Sequence, residues 1–119
     1  MENRYRALVI IPAFNEEATI ARVVGKAIAQ SVSEVIVIDD DSQDDTAAEA
    51  QSAGATVLRL PEQLGAWGAT QTGMRYAVRK GFDIAVTMDA DGQHDSSDIP
   101  NLIAPLLAGE ANVVIGACP

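Results

Sequence analysis

The sequence predicts an α/β protein built on a mostly parallel sheet flanked by helices. Short runs rich in Val and Ile alternate with stretches of helical period along its 119 residues. The runs are nearly continuous in apolar residues, as strands covered on both faces require. Parallel neighbours also need a crossover between them, usually a helix, and the intervening stretches have that period.

In chain order, Ala7 to Ile11 reads as the first strand. Ile20, Val23, Val24, Ala27 and Ile28 then recur at i, i+3, i+4, i+7 and i+8, one face of a helix. Glu34 to Ile38 is the second strand, and Thr46 to Ala53 an Ala-rich helix closed by Gly54. Ala55 to Leu60 is the third strand, ended by Pro61. Trp67 to Lys80 is a helix with Arg79 and Lys80 in its last turn, as the helix dipole favours, and Trp67 is expected to be a core or helix-packing residue. Ile84 to Met88 is the fourth strand. Asp95 or Ser96 caps a further helix that runs to Ala108 and stops at Gly109, and Asn112 to Ile115 is the fifth strand. No repeat, low-complexity segment or linker divides residues 1–119, so one domain is expected. A buried-type strand so near the end, with no closing helix, reads as a domain truncated before a further half.

Composition narrows the functional class. A net charge of −9 argues against nucleic acid, whose phosphates need a basic surface. It leaves open an anionic ligand bridged by a divalent cation. Cys118 is the only cysteine, which suits a reducing compartment. The N-terminal residues carry no cleavage-site pattern and no apolar stretch is long enough to span a bilayer, so a cytoplasmic chain is expected. Peripheral attachment to the cytoplasmic face of a membrane is compatible with this.

Ligands of open α/β sheets bind beyond the carboxyl ends of the strands, and three strand ends here are chemically rich. The first leads to Pro12-Ala13-Phe14-Asn15-Glu16-Glu17, the second to Asp39-Asp40-Asp41-Ser42-Gln43-Asp44-Asp45-Thr46, the fourth to Asp89-Ala90-Asp91-Gly92-Gln93-His94-Asp95. So many carboxylates on one edge repel one another unless something cationic relieves them. Asp89 and Asp91 flank one small residue, and the period of two in extended chain puts both on one side. A hard cation such as Mg²⁺ or Mn²⁺ takes one or two such carboxylates together with phosphate oxygens. Gln93 offers an amide oxygen and His94 an imidazole, although a surface turn accounts equally for both. Asp95 reads as a cap. Asp40 has two readings, a cap or an acceptor for the ring N–H of a base. Ser42, Asp44 and Thr46 read as turn and cap residues, and Asn15 with Glu16 and Glu17 as the cap and first turn of the first helix.

Taken together these segments resemble family 2 (GT-A type) glycosyltransferases, especially the dolichyl-phosphate mannosyltransferase-like branch. The resemblance rests on Val9 to Glu17, on Val35 to Ser42 with Asp44 and Thr46, on Val86 to His94 and on Val113 to Gly116, four motifs in register. It implies a GT-A-like fold in which Pro12, Phe14, Glu16, Ile38 and Asp40 line a nucleoside pocket. It further implies that Asp89, Ala90, Asp91 and Gln93 hold the diphosphate and a Mg²⁺ or Mn²⁺ ion, with Asp89, Asp91 and Gln93 as metal ligands. The implied donor is a GDP- or UDP-sugar, and the implied acceptor a polyprenyl phosphate or another nucleophile attacked with inversion. By the same resemblance the general base and the acceptor site belong to a second half beyond Pro119. Two departures stand out. Ala66 occupies a position where the family often has a basic residue, and Ala117-Cys118-Pro119 replaces a segment that commonly carries arginine.

Other readings fit less of the chain. A non-catalytic, truncated nucleotide-binding domain would show the same donor motifs. A receiver-like signalling domain needs its acidic pair after the first strand and a lysine after the fifth, and a dehalogenase-type phosphatase needs Asp-x-Asp on its first core strand. The Gly-x-Gly-x-x-Gly fingerprint and the phosphate loop of ATPases are both absent.

Overall fold

The computed structural model describes residues 6–30 and 32–90. Their elements run β1 (Ala7–Ala13), α1 (Ile20–Ile28), β2 (Glu34–Asp39), α2 (Thr46–Ser52), β3 (Thr56–Arg59), α3 (Gly65–Arg79) and β4 (Ile84–Thr87). The four strands form one parallel sheet in the order β3-β2-β1-β4. The helix expected to end at Ala108 and the fifth strand lie outside the described residues.

β1 is central, and Leu8, Val9, Ile10 and Ile11 are all fully buried. Alternation sends Val9, Ile11 and Ala13 to one face, where they pack with Ile20, Val23, Val24 and Ala27 of α1 and Ala50 of α2. Leu8 and Ile10 go to the other face and meet Ala69 and Ala77 of α3. The sheet is thus sandwiched between α1 and α2 on one side and α3 on the other.

β1 extends two residues beyond the expected Ile11 and includes Pro12. The ladder tolerates this proline for a local reason. Ala13 accepts from Asp40 on the β2 side, whereas Ile10 accepts from Met88 on the β4 side. Pro12, of the same parity as Ile10, therefore turns its hydrogen-free nitrogen toward β4. Among the described residues the β4 pairing has already ended at Ile10 with Thr87, so no ladder bond is lost.

α3 approaches the sheet closely because every fourth residue on its inner face is small: Gly65, Ala69, Gly73 and Ala77. A Cβ added at Gly73 would sit 2.4 Å from Cγ2 of Ile10. Such close approach leaves no room for an indole, which corrects the expectation for Trp67: it lies on the outer face, 60% exposed. Ile28, at the last position of α1, is also partly exposed, at 43%.

Two helix starts also differ from expectation. Asn15 does not cap α1, which begins only at Ile20, with the Thr19 and Ile20 N–H groups donating to the Glu16 carbonyl. Instead Asn15 takes a left-handed φ of 53° and accepts the Gln43 N–H. α3 begins two residues before Trp67, because Asp40 accepts the N–H groups that open it.

Candidate functional site

The loops after β1, β2 and β4 emerge together at the carboxyl edge of the sheet, and the first two are stitched to each other. Asn15 N–H donates to Ser42 Oγ (2.9 Å), and Gln43 N–H donates back to Asn15 Oδ1 (2.8 Å). Glu16 N–H donates to Thr46 Oγ1 (2.8 Å). Glu17 N–H donates to Asp44 Oδ2 (3.2 Å), and Asp45 N–H returns to Glu17 Oε1 (2.9 Å). The polar residues here satisfy backbone donors that lie between secondary elements and have no ladder partner.

These bonds also change how the acidic edge is stabilised. Several of its carboxylates accept backbone N–H groups. Asp40, 3% exposed, accepts from Leu64 N–H (2.7 Å) on Oδ1 and from Gly65 N–H (2.9 Å) on Oδ2. It therefore holds the start of α3 rather than capping the helix that follows it in sequence, and each oxygen retains a second lone pair. Desolvation pushes the Asp44 carboxyl up, but bonds from the Thr46 hydroxyl and N–H and from the Glu17 N–H outweigh it and hold it below the ordinary value. Buried Asp39 accepts the Ser42 N–H on Oδ1, and its other oxygen faces Arg59 Nε at 3.5 Å without a hydrogen bond.

Among the described residues the Asp41, Asp45 and Asp89 side chains accept no hydrogen bond, and of these Asp89 is the one that follows β4. It stands exposed just past β4, and among the described residues it has neither a hydrogen bond nor an ion pair. An accessible carboxylate at the sheet edge is chemically suited to be one ligand of a hard cation. Among the described residues no three His, Cys, Asp or Glu side chains converge on a common point. Asp91 and Gln93 lie outside the described residues, as do His94 and Asp95. The neighbour of Asp89, buried Ala90, is held through its carbonyl, 2.7 Å from the Thr19 hydroxyl, which also lies 3.1 Å from Glu16 Oε2.

A cleft opens between the β1 and β2 ends and the start of α3, lined by Pro12, Ala13, Phe14, Asp40, Gly65 and Ala66, with Gln63 and Ala69 completing it. Its volume of about 120 Å³ suits part of a ligand, since pockets for whole ligands usually run from roughly 300 to 1,000 Å³. The expected pocket residues are thus distributed. Pro12, Phe14 and Asp40 meet in the cleft. Ile38 is fully buried in the α3-side core, and Glu16 lies near Thr19 and Ala90. Sequence reading does not single out Thr19 or Ala69. The available signal for Ala69 is its place in the fourfold spacing of small residues on α3, whereas Thr19 carries none.

A parallel sheet with a cleft, acidic loops and an exposed carboxylate at its carboxyl edge defines an α/β protein of the kind that binds ligands outside its strand ends. The sequence profile of Glycosyl transferase family 2 matches residues 8–119. The chain is 34% identical, over 92% of its own length and 50% of the relative's, to a UDP-N-acetylglucosamine–dolichyl-phosphate N-acetylglucosaminyltransferase of Methanococcus voltae. It is 35% identical to an undecaprenyl-phosphate mannosyltransferase of Micrococcus luteus, over 94% of the chain and 48% of that relative. Among solved structures it resembles glucosyl-3-phosphoglycerate synthase of Mycobacterium tuberculosis in complex with Mn²⁺, UDP and glucosyl-3-phosphoglycerate. The TM-score is 0.72 at 32% identity, covering 90% of this chain and 41% of that one. The chain belongs to glycosyl transferase family 2. It spans about half the length of these curated relatives.

Proposed function

We propose that this chain forms the donor-binding part of a glycosyltransferase, holding a nucleoside diphosphate sugar through a divalent cation for inverting transfer to a lipid phosphate. One observation carries the reading: a base-sized cleft walled by Pro12, Phe14 and Asp40 opens at the same sheet edge as the exposed carboxylate of Asp89. Family membership supports it, as do the UDP and Mn²⁺ bound in the solved synthase. UDP is accordingly the first nucleotide to test and Mn²⁺ the first metal, with GDP and Mg²⁺ as comparisons.

Under this reading Phe14 presents an apolar flank to the base, and a free lone pair of Asp40 accepts its ring N–H. Asp89, Asp91 and Gln93 supply oxygen donors, with the Ala90 backbone beside the diphosphate. A bound cation would neutralise charge developing on the departing diphosphate. The general base that deprotonates an acceptor is not assigned to any described residue.

Calorimetric titration of UDP and GDP into the folded chain, with and without Mn²⁺, tests the site. Saturable binding that strengthens with Mn²⁺ is expected, and Asp89→Ala should remove the metal enhancement while leaving the protein folded. A folded sample that binds neither nucleotide under any of these conditions refutes the assignment.

A further inference from the structure

The outer face of α3 differs in character from the rest of this acidic chain. The sequence holds 17 Asp and Glu against 8 Lys and Arg, yet no acidic residue occurs from Gln63 to Gly81. Three of the eight cations, Arg75, Arg79 and Lys80, are exposed at the helix's C-terminal end. Three of the exposed large apolar side chains share the helix or its approach: Leu64 (50%), Trp67 (60%) and Val78 (62%). At 100° per residue, Leu64, Trp67, Gln71, Arg75 and Val78 fall within a sector of about 80°. Ala69, Gly73 and Ala77 occupy the opposite, buried side.

The two guanidinium groups at this face, those of Arg75 and Arg79, have no ion-pair partner among the described residues. The nearby acids are engaged elsewhere: Glu34 accepts from Tyr76 Oη and Thr56 Oγ1, and Asp83 accepts from the Arg6 N–H. Arg75 and Arg79 are one turn apart, where like charges repel. Together with Met74 and Val78 they line a shallow open groove. Such a pair of guanidinium groups matches a phosphate bidentately.

We infer that the outer face of α3 is a docking surface for a membrane rich in anionic phospholipid headgroups. Arg75 and Arg79 meet the phosphates, while Trp67, Leu64 and Val78 enter the interfacial layer, the environment that exposed tryptophan favours. Charge complementarity selects this occupant over a second copy of the chain. An isologous contact through the same face would oppose the cations of one copy to those of the other. The surface is separate from the donor cleft, although Gly65 and Ala66 belong to both the cleft wall and the start of α3. Docking would therefore hold the mouth of the cleft close to the lipid surface.

Trp67 is the only tryptophan, so its emission reports on this face alone. The full chain is mixed with phosphatidylcholine vesicles, with or without phosphatidylglycerol, and followed by co-sedimentation and fluorescence. Expected results are binding to the anionic vesicles only, a blue shift of Trp67, and weakening with salt. Arg75→Gln combined with Arg79→Gln should lower the partition coefficient by roughly 25-fold, about fivefold per charge. Arg22→Gln with Lys26→Gln, the same charge change on exposed α1 positions across the sheet, should lower it far less. UDP titration of the Arg75→Gln/Arg79→Gln variant should match the unmodified chain, which separates this inference from the donor-site reading. Failure of the folded chain to bind anionic vesicles, binding without a Trp67 shift, or equal losses in both double variants would overturn it. So would concentration-dependent self-association abolished by Trp67→Ser, which would assign the face to a second copy.

Discussion

The Thr19 hydroxyl lies 2.7 Å from the carbonyl oxygen of Ala90, joining the foot of α1 to the turn that follows β4. Residues 71 positions apart in sequence are thereby fixed at the edge where Asp89 is exposed. Since the Glu16 carboxylate also lies beside this hydroxyl, the loop after β1 contacts both of its neighbours, the β2 loop and the β4 turn.

Thr19→Val keeps the shape of the side chain but removes the hydroxyl from which the Ala90 carbonyl accepts. An unsatisfied buried acceptor costs roughly 1–2 kcal/mol. Urea denaturation should show a loss of that size, and Thr19→Ser, which restores the hydroxyl, should recover most of it. Equal stability of the Val variant and the parent chain would show that the bond contributes nothing.

Asp40→Asn should destabilise the start of α3. The carboxylate accepts two N–H groups, one on each oxygen, whereas an amide has one acceptor oxygen and places its NH₂ against the second donor. Losing one charge-assisted bond costs about 1.5–3 kcal/mol. Hydrogen exchange should lose protection first at the Leu64 and Gly65 amides, so unchanged exchange there would contradict the capping role.

Gly73→Ala sets two effects against each other. Alanine favours a helix interior by about 1 kcal/mol over glycine. Here the new methyl group would meet Ile10 Cγ2 at 2.4 Å in a packed core, and overpacking costs roughly 1–3 kcal/mol. Packing is expected to win, giving a lower denaturation midpoint. Truncating the opposing side chain with Ile10→Ala, which removes Cγ2, should make the double variant less destabilised than the sum of the two single losses, as coupled neighbours do.

Tyr76 donates its phenolic hydrogen to Glu34 at 2.6 Å, and that bond, then desolvation and the nearby negative charge, push its pKa to about 12. The folded value exceeds the ordinary 10. The neutral phenol therefore contributes stability that is fully present below pH 10 and is lost as pH rises through about 12. In a Tyr5→Phe background, absorbance titration at alkaline pH should show Tyr76 ionising well above an ordinary tyrosine. Adding Glu34→Gln should bring its midpoint back toward 10. A midpoint insensitive to Glu34 would refute this cause.

Periodicity and local chemistry determined the sequence of elements. The period-2 and period-3.6 patterns depend on neighbouring residues alone, so β1, α1, β2, α2, β3, α3 and β4 were all legible, with errors confined to their ends. Gly54, at positive φ, marks the end of α2 as expected, and Gly81, also at positive φ, follows α3. The acidic strand ends likewise identified the carboxyl edge as the place for chemistry, a reading that family membership supports.

Long-range relationships required the tertiary structure. The place of Trp67 depended on how near α3 lies to Ile10, and hence on residues 57 positions apart, a separation no helical period encodes. Asn15 has the chemistry of a helix cap, but the adjacent β2 loop offered its side chain the Gln43 N–H instead. Asp40 could have capped a helix or met a ligand from its residue type alone. Only the fold brought the Leu64 and Gly65 amides to its two oxygens, because a carboxylate's role is set by which donors the packed chain places within hydrogen-bond reach.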